Sequence, residues 1–185
     1  MDQFEQMGIL TLNNVGRWAC DDLPQPDFDG EHVRLLDLWG RGESQEFEGV
    51  GPRQYDEFLL QYQKPILERF GITYYGCCED LTNKISLVMS IPNLRRFICS
   101  AWTDLGKLVE ALGGRYCIEW RQLATDVAFD DDLSKVEKHL ENGLRVAAGT
   151  PIMIVLQELE TVNNNRTRLR DWAAVAKDVG SRIGC

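Results

Sequence analysis

The chain has 185 residues, 44% hydrophobic and 26% charged, which is enough for one domain with a real core and ordinary for a soluble globular protein. Its net charge of −9 leaves no basic stripe to meet phosphates, which argues against nucleic-acid and anionic-membrane partners. No apolar run approaches the roughly 20 residues of a membrane span, and Met1-Asp2-Gln3-Phe4-Glu5 lacks the features of a secretory signal, so a cytoplasmic location is expected.

In chain order, Phe4 to Met7 reads as the tail of a helix and Ile9 to Leu12 as a short strand. Residues 13–31, rich in Asn, Asp, Pro and Gly, read as a long irregular loop of the kind that is functional or disordered. Val33 to Trp39 reads as a strand, followed by the glycine-broken Gly40-Arg41-Gly42-Glu43-Ser44-Gln45. These make an irregular N-terminal segment, 1–51, ahead of a βα-repeat domain, 52–185. Pro52 opens a predicted helix over 53–69, closed by Gly71. Then follow a predicted strand at 72–76, helix at 80–89, strand at 95–99, helix at 103–112 and strand at 116–120. A loop leads to a predicted helix at 132–147, a very apolar strand at 152–157 and a last helix at 166–180. Four consecutive βα units with crossovers of this length predict a parallel α/β fold with helices covering a sheet. The pattern alone fits a barrel or a doubly wound sheet. The absence of GxGxxG and of a P-loop removes the commonest nucleotide-binding readings.

The most informative stretch is Tyr74-Tyr75-Gly76-Cys77-Cys78-Glu79-Asp80: two thiols and two acids where a strand ends and a helix follows. That position is where α/β folds place their chemistry. The other cysteines do not form a disulfide framework. Cys99 and Cys117 fall inside predicted strands as small core residues, and no CxxC pair supports a zinc ribbon.

Several further runs accompany the thiols: Trp39-Gly40-Arg41-Gly42-Glu43-Ser44-Gln45, Tyr62-Gln63-Lys64-Pro65 and Arg69-Phe70-Gly71 before them, then Ile91-Pro92-Asn93-Leu94-Arg95 and Ser100-Ala101-Trp102-Thr103-Asp104 after them. With Arg168-Leu169-Arg170-Asp171-Trp172-Ala173 in the last helix, this succession resembles the carboxyl half of uroporphyrinogen decarboxylase-like proteins, in the branch related to corrinoid-dependent methyltransferases. The resemblance implies a partial (β/α)8 TIM-barrel-like fold whose last four βα units are present, in a chain about half the length of that superfamily's members. It implies a dimer or other homo-oligomer, or a complementary barrel half, covering the exposed sheet edges. It also implies methyl transfer with a corrinoid partner protein in preference to decarboxylation, whose signature residues belong to the absent half. The rival expectation is a non-catalytic remnant or subunit that binds a tetrapyrrole-like or small acidic ligand.

The resemblance implies site residues at the carboxyl ends of the strands: Cys77, Glu79 and Glu158 as catalytic or acid/base groups, with Tyr75, Trp102, Asp104, Arg121 and Gln157 around the substrate. Ser100 falls in the same set. Zinc, where present, would use Cys77 with Cys78 or Glu158, although Tyr75 stands where the related methyltransferases have histidine and no cysteine follows the last strand. Trp39, Glu43, Ser44 and Gln45 form a second cluster, either a loop over the barrel mouth or a cap for the helix at Pro52 with one buried indole. His32 and His139 are poor catalytic candidates, Asp130-Asp131-Asp132 reads as acidic residues near a helix start, and Cys185 is expected away from the thiol loop.

Overall fold

Five short parallel strands carry the fold in the computed structural model, which describes residues 2–13, 20–130 and 132–184. They are β1 (Trp39–Gly42), β2 (Ile72–Tyr75), β3 (Leu94–Cys99), β4 (Cys117–Leu123) and β5 (Ile152–Gln157). Their spatial order is their sequence order, β1-β2-β3-β4-β5, and every neighbouring pair is parallel. The helices are α1 (Asp2–Gln6), α2 (52–67, with a π turn at Asp56–Leu60), α3 (Ile85–Val88), α4 (Leu105–Leu112), α5 (Ala124–Phe129), α6 (Ser134–Val146) and α7 (Arg168–Ile183). Among the described residues no helix is long and apolar enough to cross a membrane.

Alternation along the strands separates two faces of the sheet. Tyr75, Phe97, Cys99, Ile118 and Trp120 share one buried cluster with Tyr55, Leu60, Val88, Leu108, Leu140 and Val179 of the helices. Trp39, Tyr74 and Ile98 lie on the opposite face, with Leu23 packed against them from the N-terminal segment. The helices therefore line one face, and sequential strand order with one-sided cover is a singly wound arrangement. A doubly wound sheet would reverse its strand order and carry helices on both faces.

The N-terminal segment departs from its expected elements. Residues 9–12 form no strand, and Leu10 and Leu12 instead pack beside a small cluster of Val33, Leu35 and Leu38. The strand expected at 33–39 is replaced by a 3-10 turn, Leu35–Asp37. Its cause is the buried Asp37 carboxylate, which accepts the backbone N–H groups of Gln25 and Arg34 at 3.0 Å each and so competes with strand pairing. The strand comes later, on Trp39-Gly40-Arg41-Gly42, adding a fifth βα unit to the four expected. At Gly40 and Gly42 the missing side chains make room for the rings of Phe70 and Tyr75.

Two later differences bear on the site. The helix expected at 80–89 begins as a 3-10 turn, Thr82–Lys84, because the buried Lys84 ammonium donates to the carbonyls of Phe47 (2.8 Å) and Glu48 (3.1 Å) and ties the turn to the preceding loop. Strand β4 runs to Leu123, beyond the expected end at 120, which takes Arg121 and Gln122 into the sheet, and α5 fills the expected loop. Of the acidic run, Asp132 accepts the Ser134 N–H at 2.7 Å where α6 starts; Asp131 and Cys185 lie outside the described residues.

Candidate functional site

Gly76 ends β2 with φ +116°, and a side chain there would come within 3.0 Å of Ile98 Cβ and 3.1 Å of the Ile98 carbonyl oxygen. Only glycine makes this turn comfortably, and it carries Cys77 and Cys78 past the carboxyl end of the strand. Glu79 then fixes the loop. Fully buried, it accepts Ser44 N–H (2.8 Å) and Ser44 Oγ–H (2.9 Å) on one oxygen and Cys77 N–H (2.8 Å) on the other. Its main-chain carbonyl accepts the Ser100 hydroxyl at 2.8 Å. Glu79 is thus the brace on which the thiols stand, with its carboxylate already taken up by three donors.

The two thiols meet a third group from the far end of the sheet. Cys77 Sγ and Cys78 Sγ are 3.8 Å apart, and the Cys78 thiol donates to Glu158 Oε1 at 3.0 Å. One ligand atom from each of the three residues lies within 4.8 Å of the others. Glu158 reaches this position with φ +41°, a left-handed conformation that costs a non-glycine residue about 1–3 kcal/mol. Burial, reinforced by the Glu158 and Cys77 neighbours, pushes the Cys78 thiol up to about 12.

Arginines surround the cluster. Arg41 Nη2 donates to Cys77 Sγ at 3.3 Å and also pairs with Glu43, which brings the second sequence cluster to the thiols. Arg121 Nη1 donates to the Cys77 carbonyl at 3.2 Å and lies 3.9 Å from Cys78 Sγ. Arg121 Nε in turn donates to Glu119 Oε1 at 3.1 Å, and Arg96 Nη1 donates to Glu119 Oε2 at 3.2 Å. Arg96, Glu119 and Arg121 are all buried. Burial alone would lower Arg121, but Glu119 and Cys77 more than offset it and hold the guanidinium above its ordinary range. Arg96 also lies 4.9 Å over the Trp39 ring and 5.7 Å from the Tyr74 ring.

The sheet face opposite the helices therefore carries a buried charged ladder that ends in two thiols. Sequence reasoning named Arg121 but missed Arg41, Arg96 and Glu119. The signal was present as alternation, since Cys117-Ile118-Glu119-Trp120-Arg121 places every second residue on one face. Gln157, the last residue of β5, shares this face, and its buried Oε1 has no hydrogen-bond partner among the described residues.

The remaining expected residues scatter. Tyr75 turns to the helix side, where it accepts from Tyr55 Oη at 2.7 Å and donates to Gln63 Oε1 at 2.5 Å. Trp39 sits at the amino end of β1, away from the thiols, and Gln45 is exposed in a 3-10 turn. Trp102 is 59% exposed, and the Asp104 carboxylate caps α4 by accepting Lys107 N–H at 3.0 Å. His32 pairs with Asp29 at 2.9 Å on the surface, and His139 stands against the Trp120 ring at 5.0 Å. A cavity of about 540 Å³ lies on the helix side of β4 and not at the thiols.

No protein-family model, curated protein or solved structure matches the chain.

Proposed function

We propose that this chain binds a zinc-class ion through Cys77, Cys78 and Glu158 and serves methyl transfer to a thiol, with the methyl group supplied by a corrinoid partner protein. The observation that carries the metal reading is the 3.8 Å separation of the two sulfurs. Two thiolates about 2.3 Å from a tetrahedral zinc sit roughly that far apart, so the pair fits without rearrangement. The Glu158 oxygen, 3.0 Å from Cys78 Sγ, would withdraw by about half an ångström to become a third ligand. Three protein ligands leave a fourth position open, as catalytic zinc sites do.

A bound zinc supplies a thiolate at neutral pH from a thiol placed in the open position. The chain's own residues do the rest. Cys78 must give up the proton it holds against Glu158, so binding releases protons and strengthens with pH. Arg121 and Arg41 offset the negative charge of two thiolates and a carboxylate, and Glu79 and Gly76 hold the loop. The methyl-transfer half of the proposal rests on the resemblance to the uroporphyrinogen decarboxylase-like proteins. Sequential parallel strand order with one-sided helices supports a (β/α)8-type reading of the sheet.

A second reading is favoured by β5. All six of its residues are only half-buried, although it is the most apolar segment of the chain. A second copy or a complementary barrel half pairing there would cover this edge and bring further groups to Glu158. In that reading the chain is one subunit of a composite site.

The first experiment is equilibrium dialysis against zinc at pH 8 with the metal counted by mass spectrometry. The expected result is one zinc per chain, lost in Cys77→Ser and Cys78→Ser and weakened in Glu158→Gln. Zinc bound equally by all four proteins would remove the site. The loaded protein is then mixed with methylcobalamin and 2-mercaptoethanol, where the methyl group passes to sulfur and cobalt keeps the bonding pair. No cobalt reduction would leave a metal protein without the proposed reaction.

A further inference from the structure

Neighbouring residues of an extended chain send their side chains to opposite sides. Cys77 and Cys78 do not: past the Gly76 turn their sulfurs meet at 3.8 Å. The loop is fixed on both sides of Cys77. Its N–H donates to the buried Glu79 carboxylate at 2.8 Å, and its carbonyl accepts from Arg121 at 3.2 Å. Cys78 is half-buried, so the pair is open to a small reagent from solvent. Cys99 and Cys117 are engaged elsewhere, with their thiols turned to the carbonyls of Thr103 (3.6 Å) and Ile118 (3.9 Å).

A bond between the two sulfurs would require them to close to about 2 Å. Adjacent Cα atoms are about 3.8 Å apart across a trans peptide, below the roughly 4.4–6.8 Å that most disulfides span. A disulfide between adjacent residues is therefore strained and easily reduced, which is the character of regulatory disulfides and not of structural ones. Its formation also removes the Cys78 S–H. That hydrogen is what ties Glu158, held at φ +41° at the end of β5, to the thiol loop.

We propose that Cys77 and Cys78 are an oxidative modification site, closing reversibly to a disulfide between adjacent residues when a peroxide reaches them. The S–S bond forms as two S–H bonds and the peroxide O–O bond break. The two protons and two electrons leave on the peroxide oxygens as two waters. A thiol pair in solution, by two exchanges, returns the disulfide to the dithiol and is itself oxidised. Both sulfurs are consumed in the bond, so oxidation also empties the metal site; this consequence alone rests on the metal reading.

The test treats the reduced, metal-free, full-length protein with hydrogen peroxide, blocks remaining thiols with N-ethylmaleimide and digests with trypsin. Residues 70–84 form one tryptic peptide that holds both cysteines. It is expected two hydrogens lighter and unblocked, and to return to the dithiol with dithiothreitol. Closure is expected at least about tenfold faster in the folded protein than in urea, because the fold holds the sulfurs together. A peptide that stays blocked on both cysteines would overturn the proposal. So would one carrying sulfinic or sulfonic acid instead of the bond, or equal rates in urea. Zinc dialysis of the reduced and oxidised forms then separates the two readings. Zinc on the reduced form only is expected. Zinc on both would overturn control of the metal by oxidation, and zinc on neither would remove the metal reading while the disulfide stands.

Discussion

Replacing Glu119 by alanine should be among the most damaging single changes on the charged face. Its carboxylate is fully buried and takes one guanidinium on each oxygen, Arg96 at 3.2 Å and Arg121 at 3.1 Å. Removing it deprives two buried guanidiniums on adjacent strands of the carboxylate they share. Breaking a buried ion pair by deleting one partner costs about 3–5 kcal/mol, since the remaining charge stays out of water. The stacking of Arg96 on Trp39 and Tyr74 softens this only for one of the two. A domain of ordinary stability holds about 5–15 kcal/mol, so the variant keeps its fold with a much reduced margin. For a chain of this length the loss corresponds to a fall of about 6–20 °C in melting temperature.

Urea unfolding at 25 °C measures this directly, as a lower midpoint at an unchanged slope. The informative companion is the triple variant Arg96→Met, Glu119→Leu, Arg121→Met, which removes all three charges and fills the space. It should recover most or all of the stability, because well-packed apolar residues commonly match a buried ionic group. It should not recover the thiol loop, since the bond from Arg121 to the Cys77 carbonyl is gone, and alkylation of Cys77 by iodoacetamide should speed up. A loss below about 1 kcal/mol in Glu119→Ala, or a triple variant no more stable than the single, would refute the reasoning.

Three further outcomes are expected. Gly143→Ala forces the Trp120 ring to move; overpacking of about 1–3 kcal/mol set against about 1 kcal/mol of helix propensity gives a net loss of up to about 2 kcal/mol, read by urea midpoint and near-ultraviolet circular dichroism. Cys78 keeps its proton to about 12 in the folded protein against an ordinary 9.0, so its contribution is complete below pH 9 and is lost as the pH climbs toward 12. Cys99 behaves alike, so Cys78→Ser should flatten the alkaline fall in urea midpoint only in part. Ser44→Ala removes the hydroxyl donor to the buried Glu79 carboxylate and should cost about 1.5–3 kcal/mol while leaving the Cys77 N–H bond in place, as judged by slow amide exchange at Cys77.

Much of the βα alternation was legible because long apolar periods declare themselves. The strands at 72–75, 94–99 and 152–157 and the helices at 105–112 and 134–146 fall within a few residues of expectation. The misses have local causes. Strand β1 hid in Trp39-Gly40-Arg41-Gly42, where glycines read as breakers although here they admit the rings of Phe70 and Tyr75. The strand expected at 33–39 was lost to Asp37, whose side-chain bonds to backbone are invisible in a hydrophobic pattern. The thiol cluster was legible as residue types at a strand end. The partnership of Cys78 with Glu158, eighty residues away, depends on the sheet order and on an unusual φ at Glu158, and no local pattern carries either.

The charged face itself argues for a site there. A parallel strand covered on both faces reads as a continuous apolar run; β5 reads that way, Ile152-Met153-Ile154-Val155-Leu156, although it is only half-buried here. Strands β1, β3 and β4 do not. They place Arg41, Arg96, Glu119 and Arg121 on the face that the helices leave uncovered, and the last three are buried there. Stability does not require such a set, because apolar replacements of equal volume would serve as well. The same ladder, followed from Arg96 through Glu119 to Arg121, ends on the carbonyl that positions Cys77 and beside the Cys78 sulfur. The run of buried charge ends on two thiols and, among the described residues, near a Gln157 side-chain oxygen with no hydrogen-bond partner, at the carboxyl ends of the strands where parallel sheets commonly present their chemistry.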